Sequence, residues 1–248
     1  MVRPRPRRGA PGLAAAVETR RRHPVGTPDD DRALTYSRYL ALDELLAAQR
    51  PLSDEHDELL FIVIHQVYEL WFKELLHELA HLRARLEDGD TAHSLHTLKR
   101  ILTILKVAVA QIDVLETMTP RQFTGFRARL QSSSGFQSAQ FRELERTVGP
   151  PLFSSFVAYL EGQGYPAGDD LHAALLAAYR DDGEPAQVAE RLVDLDEGLQ
   201  EWRYRHVKMV ERTIGDLPGT GGSAGVAYLR TTLFRPAFPD LWAIRSRL

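Results

Sequence analysis

The stretch EHDELLFIVIHQVYELWFKELLHELAHLRARLE, residues 55–87, decides the fold. In it Phe61, Ile64, Tyr68, Trp71, Leu75, Leu79, Leu82 and Leu86 recur at steps of three and four, the spacing that lines up one face of an α-helix. A break at Pro51-Leu52-Ser53-Asp54 comes before it, and acidic residues open it, where they complement the helix dipole. Glu87-Asp88-Gly89-Asp90-Thr91 ends it. Beyond that turn Leu95, Leu98, Leu102, Leu105, Val109 and Ile112 repeat at steps of three and four again. Two long amphipathic helices joined by a short turn pack antiparallel.

The same grammar extends toward the C-terminus. Thr119-Pro120-Arg121-Gln122 combines a capping box with proline at the first helical position, so a helix starts there and carries Phe123, Phe126 and Arg127 until Ser132-Ser133-Ser134-Gly135. A middle region predicts two short helices around a Gly/Pro linker. A third long helix, about 185 to 214, carries Val188, Leu192, Leu195, Leu199, Trp202, His206, Met209 and Thr213 on one face and ends near Gly215. A glycine loop, GTGGSAG at 219–225, leads to helical pieces around Pro236 and Pro239. Toward the N-terminus, LTYSRYLALDELLAAQ from Leu34 also reads as helix. No run of strict alternation appears, so the expected class is all-α: a bundle of long antiparallel helices. The expected organisation is a disordered basic arm at 1–33 and one helical domain at 34–248, with 146–184 as its variable segment.

Composition narrows the chemistry. The 248 residues include no cysteine, which removes thiolate zinc sites, Fe–S clusters, thiolate-ligated haem and cysteine nucleophiles. The formal charge of −3 hides an asymmetry: seven arginines crowd the first 22 residues against Glu18 alone, leaving 24 basic and 33 acidic residues elsewhere, a body near −9. Such a body repels phosphate, so no nucleic-acid partner is expected. The longest apolar run of the body, LLFIVI at 59–64, falls far short of the ~20 residues of a membrane span. No membrane partner is expected, and the protein reads as soluble and cytoplasmic.

Four features bear on function. His77-Glu78-Leu79-Ala80-His81 matches the zinc-protease pattern H-E-x-x-H, yet at ~100° per residue both imidazoles point away from the Leu75/Leu79/Leu82 face, and no third ligand follows. Gly219-Thr220-Gly221-Gly222-Ser223-Ala224 matches a dinucleotide fingerprint, but that motif follows a strand and here follows a long helix. His65 and His206 sit on or beside apolar stripes, where an imidazole must be hydrogen-bonded, charge-paired or ligated. With Phe61, Tyr68 and Trp71 around one and Trp202 before the other, they frame either a packed aromatic core or a site for a flat apolar cofactor. Arg127, after Phe123 and Phe126, either captures a carboxylate beside an apolar surface or snorkels to water.

Three stretches together, LTYSRYLALDELLAAQRPLSDEHDELLFIVIHQVYELWFKELLHEL, VLETMTPRQFTGFRARLQSSSGFQSAQFRELE and WRYRHVKMVERTIGDLPGTGGSAGVAYLR, resemble the tryptophan 2,3-dioxygenase family, from about Leu34 to Leu248. The resemblance implies an all-helical homotetramer with a haem pocket holding haem b, ferrous for activity. It implies opening of the indole C2–C3 bond of L-tryptophan with O2 to give N-formyl-L-kynurenine, the first step of the kynurenine pathway of tryptophan catabolism. Carried over by position, His206 in RYRHVKMVER resembles the axial haem ligand, and His65 in FIVIHQ the catalytic-side histidine that hydrogen-bonds the indole N–H. Phe61 resembles the aromatic wall, Arg127 in TGFRARL the carboxylate grip, and Thr220 the loop threonine at the amino-acid end. Tyr36, Tyr39 and Leu40 resemble the segment that reaches into a neighbouring subunit's site. Phe123 stands in the substrate pocket where some members have tyrosine, and the stretch between Glu145 and PPLFSSFVAYL is shorter than the family leads one to expect. These departures keep a second reading open, a related haem monooxygenase acting on a modified tryptophan or indole in natural-product biosynthesis.

Overall fold

The computed structural model describes residues 33–220 and 225–248. The basic arm expected at 1–33 therefore lies, but for its last residue, outside the described residues, as do 221–224 of the glycine loop. Contacts divide the chain after Ala48. In the first unit α1 (Tyr36–Tyr39) and α2 (Leu42–Leu46) are separate short helices, where the sequence reads as one. Ala41 interrupts them with a left-handed φ of 48°, a conformation that ends helical hydrogen bonding. Tyr36 and Tyr39 are 75% and 72% exposed.

The second unit, from Gln49 onward, is a helical bundle, and no strand occurs among the described residues. Its frame is a hairpin of α3 (His56–Glu87) and α4 (Thr91–Leu115). Asp57 and Glu58 open α3, Gly89 turns the chain at φ +73°, and the Asp90 carboxylate accepts the His93 N–H to cap α4. Three cross-links set the register: Gln111 Nε2 donates to the Ile64 carbonyl at 3.2 Å, Tyr68 Oη to the Ala108 carbonyl at 2.8 Å, and Arg100 to Glu78 at 2.7 Å. The capping box at Thr119 forms as predicted and starts α5 (Pro120–Arg127).

After a loop come α6 (Ala139–Val148) and α7 (Pro150–Gly162), joined only by Gly149 and both packed on α3. Where the sequence is short, the chain passes directly from one covering helix to the next. Buried Ser155 on α7 ties this layer down, donating to Glu87 at 2.7 Å while Arg83 donates to it. The two short helices of the middle region are α7 and α8 (Leu171–Asp181), and α8 packs on α9 (Glu184–Ile214). Gly215, at φ +57°, stops α9 where the sequence predicts. Gly198 lets α9 close on α4, since a Cβ there would lie 3.0 Å from Leu105 Cδ2. The chain closes with α10 (Val226–Arg230) and α11 (Pro239–Ala243).

Asp196, fully buried on α9, holds this C-terminal segment. Its Oδ2 accepts the Ala237 N–H at 2.9 Å, the Phe238 N–H at 3.2 Å and the Trp242 indole N–H at 2.8 Å, and its Oδ1 accepts Gln200 Nε2 at 3.0 Å.

Candidate active site

Three helices bring the expected site residues together. Phe61 and His65 lie one turn apart on α3, Phe123, Phe126 and Arg127 on α5, and Trp202 and His206 one turn apart on α9. α5 packs against both α3 and α9. The Phe61 ring sits 4.1 Å from the His65 ring, 5.8 Å from Phe123 and 5.5 Å from Phe126, and Phe123 meets Phe126 edge-on at 5.4 Å. Phe126 is fully buried and Phe123 buried. Aromatic side chains thus wall one side of His65.

The His65 ring has a defined tautomer. Its Nδ1 lies 2.7 Å from the Phe61 carbonyl, and a carbonyl only accepts, so Nδ1 carries the proton and Nε2 keeps its lone pair. Burial lowers the His65 pKa, against the pull of that carbonyl bond and of Glu69. His65 is a neutral hydrogen-bond acceptor at physiological pH.

His206 is also pushed down, to about 4, by burial and then by repulsion from His65. The His206 ring makes no hydrogen bond among the described residues and stacks on Trp202 with centroids 5.1 Å apart and planes 8° apart. A neutral imidazole without a partner, beside a flat apolar wall, fits an axial ligand of haem iron. Among the described residues no cluster of three or more His, Asp or Glu offers a rival metal site.

Behind Trp202 the structure adds Phe141 and Phe72, which the sequence does not single out. Phe141 approaches it at 4.8 Å, and Phe72, with the Tyr68 named from the sequence, meets it edge-on at 6.3 Å. The Tyr68 hydroxyl, pushed up to about 12 by burial, stays a donor to Ala108. Trp71, expected around His65, instead lines an outer groove with Val67, Leu70, Glu74, Arg100 and Ile104. At 100° per residue Phe72, not Trp71, continues the inward line of Tyr68, Leu75 and Leu79; adjacent aromatic residues left that choice to the helix's rotation.

At the other end of the site Arg127 and Thr220 are both engaged with backbone. Arg127 Nη2 donates to the Pro218 carbonyl at 2.7 Å, and the Thr220 hydroxyl donates to the Ser133 carbonyl. The two residues expected at an amino-acid substrate's polar end therefore anchor the segment leading into the glycine loop. His77 and His81 are exposed, while Glu78 between them is buried and paired with Arg100. The H-E-x-x-H match thus consists of two surface histidines and a helix-to-helix ion pair.

By fold and site this is an all-α bundle protein built around two imidazoles in an aromatic centre. It belongs to the tryptophan 2,3-dioxygenase family, whose model, described as "Tryptophan 2,3-dioxygenase", matches residues 22–161 and 165–248. Relatives named tryptophan 2,3-dioxygenase include those of Anaeromyxobacter sp. (strain K), 59% identical, and Anaeromyxobacter dehalogenans (strain 2CP-C), 60% identical, each over 256 residues covering 87% of this chain and 97% of the relative. That of Herpetosiphon aurantiacus is 50% identical over 259 residues, covering 88% of this chain and 99% of the relative. An alignment 256 positions long that takes up only 87% of 248 residues leaves about forty positions of the relative facing gaps in this chain. Among the described residues no helix is long and apolar enough to cross a membrane.

Proposed function

We propose that the chain is a haem-dependent dioxygenase that adds both atoms of O2 across the indole C2–C3 bond of L-tryptophan and opens it to N-formyl-L-kynurenine. The observation that carries this reading is the His206 imidazole, neutral, making no hydrogen bond to a described protein group and stacked on Trp202 in an aromatic centre. His206 would hold the iron of haem b, which supplies when bound the O2 activation that no side chain here offers.

The protein's own part is binding and orientation. Phe61, Phe123 and Phe126 present apolar faces that hold the indole plane and exclude water. His65 Nε2, left with its lone pair by the Phe61 carbonyl, accepts the indole N–H. An indole N–H is a very weak acid, so His65 orients the ring and does not remove its proton. Arg127 exchanges the Pro218 carbonyl for the substrate carboxylate, trading a neutral acceptor for a charged, bidentate one. Thr220 exchanges the Ser133 carbonyl for the amino-acid end. Phe123 has no hydroxyl to add to this grip. Tyr36, Tyr39 and Leu40, exposed in their own unit, are proposed to complete the site of a second copy within a homotetramer. The reaction is assigned to the cytoplasm.

The test is a haem spectrum of the purified protein with L-tryptophan and O2, followed by the product's mass. A product heavier by two oxygen atoms supports the dioxygenase; one oxygen atom would turn the assignment to a monooxygenase. Arg127→Leu should weaken L-tryptophan binding by about 100-fold, as expected for a desolvated charge-assisted pair, and indole derivatives lacking the carboxylate far less. Equal losses would make Arg127 a structural residue.

A further inference from the structure

Metal-ligating histidines are normally oriented through their second ring nitrogen, which donates to a carboxylate, a carbonyl or water. His206 has no such bond among the described residues. What fixes its plane is the indole one helical turn earlier, parallel to within 8° at 5.1 Å. We infer that Trp202 is the positioning residue of the His206 imidazole, its stacked indole fixing the plane of the ring. The inference rests on the reading of His206 as haem ligand.

Trp202 is itself held from several sides. It is 8% exposed, with Phe141 against it at 4.8 Å and the edges of Tyr68 and Phe72 at 6.3 Å. The next residue, Arg203, grips Glu145 on α6 through Nε and Nη2 and donates from Nη1 to the Arg235 carbonyl at 3.1 Å, which anchors this turn of α9. An indole in this box can transmit orientation to the imidazole stacked on it.

The Trp202 indole N–H is directed at the Tyr68 hydroxyl, which adds to the hold on the ring. Leucine would fill much of the same volume. What tryptophan adds is a wide flat surface parallel to the ligand ring.

The experiment uses the full chain loaded with haem and compares wild type with Trp202→Phe, Trp202→Leu, Phe141→Leu and His206→Ala. The readouts are the ferric electron paramagnetic resonance spectrum, which reports the orientation and uniformity of the axial ligand, and the rate of haem loss to an apo-globin acceptor. Trp202→Leu should give a broadened or mixed spectrum and lose haem at least tenfold faster. Trp202→Phe, which keeps a flat ring, should stay within threefold of wild type. A Trp202→Leu protein with wild-type spectrum and wild-type haem loss overturns the inference. If that variant does not fold, Phe141→Leu decides: spectral broadening supports the role, and a wild-type spectrum overturns it. A wild-type haem spectrum in His206→Ala would remove both the ligand reading and this inference, while loss of that spectrum with an unaffected Trp202→Leu removes this inference alone.

Discussion

Asp196 offers the sharpest test of how the C-terminal segment is held to α9, the helix that carries His206. Its Oδ2 alone accepts three donors, the N–H groups of Ala237 and Phe238 and the Trp242 indole N–H, and Phe238 is fully buried. Asp196→Ala removes the acceptor and leaves these donors behind. At about 1–3 kcal/mol per orphaned buried donor, discounted for Trp242 because that residue can regain water, the loss should total about 3–5 kcal/mol. Asp196→Asn is the informative control. Its amide oxygen can take the place of Oδ2, and its NH2 can face Gln200, which offers its own carbonyl after an amide flip. What goes is mainly charge assistance, about 1–2 kcal/mol. Urea unfolding followed by far-UV circular dichroism at pH 7 reads both values as shifts in midpoint at constant slope. An alanine variant within about 1 kcal/mol of wild type, or an asparagine variant as damaged as the alanine one, would refute the assignment of Asp196 as the anchor.

Three further outcomes follow from the structure. Replacing exposed His77 and His81 together with glutamine should leave activity and metal content unchanged and stability within about 0.5 kcal/mol; stoichiometric zinc lost in the double variant would contradict this. Without haem, His206 has a folded pKa of about 4 against an unfolded value near 6.5, so the unfolded chain binds the extra proton between those values. The associated stability is fully present above about pH 6.5 and falls by at most about 2 kcal/mol between pH 7 and 5, a slope that His206→Gln should reduce in chemical denaturation. Deleting residues 1–22 should be harmless, whereas deleting 1–45, which removes Tyr36, Tyr39 and Leu40, should reduce both assembly and turnover; a fully active monomer by light scattering would count against a shared site.

Much of the fold is legible because short-range rules govern it. Three- and four-residue steps predict α3, α4 and α9, the capping box starts α5 where Thr119 and Gln122 say it should, and Gly215 ends α9. Each depends on a residue's own backbone preference or on neighbours within one turn. The candidate site is legible in part for the same reason: an imidazole in an apolar stripe is conspicuous wherever the stripe lies.

Other features need partners that are remote along the chain. The sequence by itself determined an all-α bundle, the bounds of its long helices and the residue types available for chemistry, since helical period, caps and turn residues act locally. Only the tertiary structure decided that Phe72 and not Trp71 faces the Trp202 box, that Glu78 pairs with Arg100, and that Asp196 anchors Ala237 to Trp242. It likewise decided that Phe61 on α3 meets Phe123 and Phe126 on α5 and that Arg127 reaches the Pro218 carbonyl. These depend on the rotation of each helix about its axis and its register against its neighbours. Both are set by how whole faces interdigitate in a close-packed core, and no local pattern encodes them.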